Sequence, residues 1–178
     1  QLKNKHAIMN WFEIKVKYQK VDEKGKEKKV SEPYLVDAVS FTEAEARITE
    51  ELKSFLGEEF NILNIKRANY SDLFFYDDGD RWFKSKVAFV TLDEEKGVEK
   101  KTSNYMLVQA NDINEAFANL TNSMKDCMVD YNVLAMQETP IMDVFPYFKD
   151  DTSEDIAENL VAISDIETND GFDAEELN

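Results

Sequence analysis

Apolar and polar residues alternate from Trp11 to Lys20. Phe12, Ile14, Val16 and Tyr18 mark one face, and Trp11, Glu13, Lys15 and Lys17 mark the other. Successive side chains on a strand point to opposite faces, so this pattern predicts a half-buried strand. Val21 to Lys29 is charged, with Gly25 at its tip, and Val30 to Val39 is apolar again; together they read as a hairpin. Pro33 cannot donate a ladder hydrogen bond, which predicts an edge position or a bulge there. The period then changes. Ala44, Ile48, Leu52 and Phe55 recur at helical spacing, Thr42 and Glu45 offer a capping box, and Gly57 offers a stop. Phe60 to Ile65 reads as a third strand and Leu73 to Tyr76 as a short aromatic fourth.

The plan is then written a second time, at a spacing of 71 or 72 residues. Trp11-Phe12 matches Trp82-Phe83, and Lys15-Val16 matches Lys86-Val87. Asp22 matches Asp93, and Lys24-Gly25 matches Lys96-Gly97. Glu27-Lys28-Lys29 matches Glu99-Lys100-Lys101. Leu35-Val36 matches Leu107-Val108, Glu43-Ala44 matches Glu115-Ala116, and Asp72, Phe74 and Tyr76 match Asp143, Phe145 and Tyr147. Matches that keep their order from end to end indicate internal duplication. The second copy supplies strands over 82–91, 105–110 and 131–136. Its helix, running to about Asp130, has Asp112 and Glu115 at its start and Ala116, Leu120, Met124 and Cys127 on its apolar stripe. Asp77-Asp78-Gly79-Asp80 is a polar turn between the copies.

These elements predict an α+β fold. Internally duplicated β-β-α-β units, residues 11–76 and 82–147, form a pseudo-twofold antiparallel-sheet domain with helices on one side. One unit alone would be marginal in size, so the two are expected to share a core. Residues 1–10 read as a leader, with Met9 as the natural start.

Charge changes the picture at the far end. The net charge of the 178 residues is −16, but eleven acidic and no basic residues follow from Asp150 onward, leaving −5 for residues 1–149. Such a composition predicts a mostly disordered acidic tail over 150–178. Within it, Ile156, Leu160 and Ile163 could order as a helix on a protein partner. A single cysteine rules out an internal disulfide and points to a reducing, cytoplasmic compartment, in a bacterial or phage-infected bacterial cell. No apolar run reaches the ~18 residues of a membrane span.

Several segments together resemble a known family: Trp11-Phe12, Glu32 to Ala38, Phe41 to Arg47, Ile65 to Tyr70 and Asp80 to Lys84. The family is uncharacterised, occurs in gut Bacteroidetes and their phages, and is catalogued as a domain of unknown function. The resemblance spans about Met9 to Tyr147 and implies no catalytic residues.

The residues themselves argue against an enzyme. The only histidine, His6, lies in the leader, so imidazole-based catalysis has no base in the fold. No Cys/His cluster suits zinc and no Gly-rich loop suits a phosphate, so neither a metal nor a cofactor is expected. Asp77 to Asp80 lacks the closing Glu of a calcium loop and reads as a solvated turn. Cys127 reads as a core residue on its helix. Asp72 and Asp143 read as strand-end caps rather than a catalytic pair.

A binding function fits better. Trp11 and Lys15 share a face, as do Trp82, Lys84 and Lys86. An exposed indole stacks on a base while lysines meet phosphates, the mode used for single strands. Lys28, Lys29, Lys100 and Lys101 on the hairpins and Arg67 extend this candidate nucleic-acid surface. The reading is a non-enzymatic single-stranded DNA-binding or replication accessory protein. The alternative is a protein-binding adaptor or inhibitor acting through its acidic surface and tail.

Overall fold

In the computed structural model, which describes residues 10–147, the first alternating stretch is strand β1 (Trp11–Val21), joined by a hairpin to β2 (Glu27–Asp37). Asp22 makes the turn: its carboxylate accepts the backbone N–H groups of Lys24 and Lys26. Gly25 completes it at φ 75°, a conformation that costs a residue without Cβ little. Helix α1 (Phe41–Leu56), β3 (Phe60–Ala68) and the short β4 (Asp72–Phe74) follow. The second half runs through β5 (Arg81–Asp93), β6 (Val98–Ala110), α2 (Ile113–Ser123), β7 (Asp130–Glu138) and the two-residue β8 (Val144–Phe145). The order β-β-α-β-β therefore occurs twice. The acidic tail over 150–178 and all of the leader but Asn10 lie outside the described residues.

The fold is α+β, with two helices and eight strands in two antiparallel-rich sheets among the described residues. The first sheet has the order β3-β1-β2-β8 and the second β4-β6-β5-β7. Each sheet thus ends in a short strand from the other half of the chain. Leu35 and Val36 of β2 pair in parallel with Val144 and Phe145, and Leu107 and Val108 of β6 pair in parallel with Leu73 and Phe74. Leu35 corresponds to Leu107 and Phe145 to Phe74, so the exchange is reciprocal. Bulges recur in the same way. The ladder slips between Lys15 and Val16 in one sheet and between Lys86 and Val87 in the other, leaving Leu63 and Leu134 unpaired. These correspondences fit a duplicated unit.

Helix starts are alike in both halves. Ser40 caps α1 by accepting the N–H of Glu43, whose carboxylate accepts the N–H of Val39. Asp112 and Glu115 do the same for α2, with Glu115 accepting from Asn111. The first box is therefore Ser40 with Glu43, two residues before the expected Thr42 and Glu45. The second helix stops at Ser123, well short of Asp130. Cys127 consequently falls beyond it and is exposed, not part of the core. Pro33 is in β2, its carbonyl accepting the N–H of Met142 where the ladder to β8 is just beginning.

Three groups of apolar side chains hold these layers. Phe12, Ile14, Val16 and Val36 pack under Ala44, Ile48 and Leu52 of α1. Val87, Met106 and Val108 pack under Leu120, and Phe83 and Ala110 under Ala116, beneath α2. The third group lies on the opposite faces of the two sheets. It joins Trp11 and Leu35 of the first half to Trp82, Leu107, Ile141 and Val144 of the second. The expected shared core is this cluster.

Candidate functional site

Facing residues of an antiparallel pair lie on the same side of the sheet. The registers therefore assign each candidate side chain to a face. On the sheet face that carries the tryptophans, Lys15 lies opposite Pro33 and Lys29 opposite Gln19. In the second sheet Lys86 lies opposite Tyr105, Lys84 opposite Leu107 and Lys101 opposite Val90, again on the tryptophan face. Lys28 lies opposite Lys20 and Lys100 opposite Thr91, on the helix side. Arg67 is also on the helix side, opposite Phe12, with its guanidinium 5.6 Å from the Phe12 ring and 5.7 Å from the Phe41 ring. The surface expected from ten residues thus divides. Lys15 and Lys29 lie on the tryptophan face of the first sheet and Lys84, Lys86 and Lys101 on that of the second, whereas Lys28 and Arg67 of the first sheet and Lys100 of the second lie on the helix faces.

The two tryptophans require a correction. Trp11 is 2% and Trp82 3% exposed, both within the shared core, and Trp82 meets Phe75 edge-on at 5.3 Å. They do share a face with the lysines, as the alternation predicts. At that end of the strands, however, the other half of the chain covers the face. A buried indole cannot stack on a base, so neither is a platform. The sequence held a sign of this. Tyr34-Leu35-Val36 and Met106-Leu107-Val108 are apolar without alternation, the pattern of strands covered on both faces.

An exposed aromatic does stand among the lysines. Tyr105 is 42% exposed, and Lys84 Nζ lies 5.3 Å from its ring centroid. Tyr105 also lines a cleft of about 350 Å³ between β6 and the connection from β3 to β4. Tyr70, Asn69 and Ser71 form the connection side, and Ser103 and Asn104 flank Tyr105. The Ser71 N–H donates to the Tyr105 carbonyl at 2.8 Å and closes one end. An adjoining hollow of about 300 Å³ shares both tyrosines and adds Lys66 and Glu13, which form an ion pair at 3.0 Å. Burial, and secondarily the Glu13 carboxylate, push the Tyr70 hydroxyl up to about 12, so it stays a neutral donor at physiological pH.

Trp11 lines the same cleft, and its Nε1–H is buried without an acceptor. A buried unpaired donor costs about 1–3 kcal/mol. Of the residues expected from the sequence, Trp11 and Arg67 line this cleft. Sequence reasoning did not bring its two tyrosines together, because Tyr70 and Tyr105 are 35 positions apart and only the exchange of β4 places them side by side.

The corresponding place on the other sheet is built differently. Met142 N–H donates to the Pro33 carbonyl at 2.9 Å, as Ser71 does to Tyr105. Pro33 thus stands where Tyr105 does, Ile141 where Tyr70 does, Pro140 where Asn69 does and Glu13 where Lys84 does. The aromatic and amide character occurs on one side only.

Asp143 acts as the strand-end cap expected of it, its carboxylate accepting the N–H of Val144 at 2.8 Å. Among the described residues no three His, Cys, Asp or Glu side chains gather as a metal ion requires. Nor is any helix among them long and apolar enough to cross a membrane.

These features belong to a family defined by sequence rather than by activity. The model described as "Domain of unknown function (DUF4494)" matches residues 10–147, and the chain belongs to that family. No curated protein matches the chain.

Proposed function

We propose that this chain is a non-enzymatic binding protein that holds single-stranded DNA on the open face of the second sheet. The observation that carries the reading is Tyr105, exposed on the sheet surface with Lys84 against its ring and Lys86 directly opposite. An aromatic on an open sheet, ringed by lysines, offers a base its stacking partner and the phosphates their counter-charges. Lys101 continues the cationic face toward the hairpin, and Lys15 and Lys29 stand on the corresponding face of the first sheet. The eleven acidic residues from Asp150 onward would compete with a strand for these lysines and would serve to recruit a protein partner. On this reading the protein is a replication accessory of a gut Bacteroidetes cell or its phage and works in the cytoplasm.

A second reading has one observation in its favour. Ile113 and Phe117 of α2 and Leu134 of β7 are exposed together around a shallow hollow of about 370 Å³, a surface that suits a protein partner of an adaptor.

Anisotropy of a labelled oligo-dT, titrated with the full chain at low salt, separates the two. The strand reading expects saturable binding with Kd at or below the ~10⁻⁶–10⁻⁴ M typical of non-specific sites. Absence of binding at that concentration would leave the adaptor.

A further inference from the structure

We propose that the cleft between β6 and the β3–β4 connection receives one unpaired nucleobase, so that a strand is gripped on one side of the molecule only. The inference rests on the strand-binding reading above and gives that surface its single specific contact.

Its walls suit a base. Tyr70 and Tyr105 both line the cleft, and Tyr105 is open enough to present a ring face. Bases splayed out of a strand stack on such side chains. The rim suits the base edge. Asn69 carries an amide donor and acceptor, and Ser71 and Ser103 carry hydroxyls, the groups that read donor and acceptor patterns on bases. Lys84, beside Tyr105, is placed for the phosphate that follows the base. The volume of about 350 Å³ is at the small end of ligand sites and fits one nucleoside, not a duplex.

The deepest observation concerns Trp11. Its Nε1–H, buried in a residue that lines this cleft, has no acceptor. The Nε1 atom is fully shielded, so a base that enters reaches it only by displacing the wall over it. Ring nitrogens and carbonyl oxygens of bases are the acceptors that then supply the missing partner. Trp11 then contributes a hydrogen bond from the floor, not the stacking surface its sequence position suggests.

The corresponding positions on the first sheet show that the fold does not demand these residues. Pro33, Ile141, Pro140 and Glu13 occupy them with the same backbone hydrogen bond between Met142 and Pro33. Two prolines and an isoleucine offer no amide edge, and Glu13 repels a phosphate. One base per chain is the expected stoichiometry, and the strand has a defined direction across the sheet.

The test is a titration of the ¹⁵N-labelled full chain with short single-stranded oligonucleotides of each base and, separately, with the mononucleotides. Indole N–H resonances are followed beside anisotropy of the same oligonucleotides. The Trp11 Nε1–H should move downfield, as a donor gaining an acceptor does, while that of Trp82 stays. Tyr105→Ala and Lys84→Glu should each weaken oligonucleotide binding about tenfold or more, the usual loss of a stacked or charged contact. Both residues are surface-accessible, and an unchanged amide spectrum elsewhere checks the fold. A Trp11 shift with mononucleotides alone would assign the cleft to free nucleotides. Binding by anisotropy with Trp11 unmoved would overturn the cleft and leave strand binding on the lysines. No binding of any oligonucleotide would overturn the strand reading itself, and a Trp11 shift with an aromatic peptide alone would pass the cleft to a protein ligand.

Discussion

Leu73 lies beside Leu107 in parallel register, although the two belong to different halves of the chain. Val144 lies beside Leu35 in the same way. Each half therefore completes the other's sheet, and neither closes its core alone. Leu107 is fully buried in the shared cluster with Trp11 and Trp82. Leu107→Ala should cost about 2–5 kcal/mol, the range for a truncated core leucine. Urea denaturation should also give one transition for both halves, because the exchanged strands couple them. Two separable transitions, followed by residue-resolved amide signals, would contradict that coupling.

Gly79 sits in the turn between the halves and donates its N–H to the Tyr76 carbonyl. A Cβ built there would lie 2.5 Å from the Ala110 nitrogen and 2.7 Å from its Cα, both backbone atoms that cannot swing aside. Gly79→Ala should therefore destabilise by about 1–3 kcal/mol through overpacking. Gly25→Ala meets no atom within 4 Å, and its cost comes only from φ +75°, about 1–2 kcal/mol for a residue with Cβ. A hairpin tip relaxes more easily than a packed turn, so thermal melts should rank Gly79→Ala as the more damaging. The reverse order would show that the turn can open.

Much of this architecture is legible in the residues. The alternation from Phe12 to Tyr18 marks β1, an Asp followed by a Gly within a charged stretch (Asp22 and Gly25, Asp93 and Gly97) marks both hairpins, and Asp112 with Glu115 marks the start of α2. Periodicity reports which side of a strand is apolar. It does not report what lies on the other side. Trp11 and Trp82 follow the lysine phase, and only the packing of the two halves shows that their end of that face is covered. Arg67 lines the cleft and its adjoining hollow, but its phase on the strand is that of the helix side. It belongs to the β3 phase opposite Phe12, and adjacency to Lys66 in sequence puts it on the other side of the sheet from Lys66. The cleft depends on a strand exchange between segments far apart in the chain, which no local pattern encodes.

Tyr70 and Tyr34 give the protein an alkaline limit. Burial pushes both hydroxyls up from 10.0 to about 12, with Glu13 adding to the shift at Tyr70 and Glu32 at Tyr34. A folded-state value above the unfolded one means that the fold favours the neutral phenol. That contribution is fully present below pH 10 and is lost as pH rises toward 12. The melting temperature should fall across that window. Tyr70→Phe, which has no proton to lose, should fall less steeply than the parent. Parallel declines would mean that Tyr70 ionises in the folded state as easily as in the unfolded chain.

The lysines offer the sharpest separation, because neighbours in sequence face opposite ways. Lys101 lies opposite Val90 on the Tyr105 side, and Lys100 lies opposite Thr91 on the helix side. If a single strand crosses the open face, Lys86→Ala combined with Lys101→Ala removes two phosphate contacts. Each contact to a single strand contributes about 0.7 to the slope of log K against log salt. The double variant should flatten that slope by about 1.4, whereas Lys28→Ala combined with Lys100→Ala should leave it nearly unchanged. Both pairs remove the same net charge from the same molecule, so a difference between them reports position, not overall charge. Equal flattening by the two pairs would mean that binding is diffuse attraction to the hairpins, with no particular face involved. The measurement is a set of oligo-dT titrations of the full chain over a range of salt concentrations.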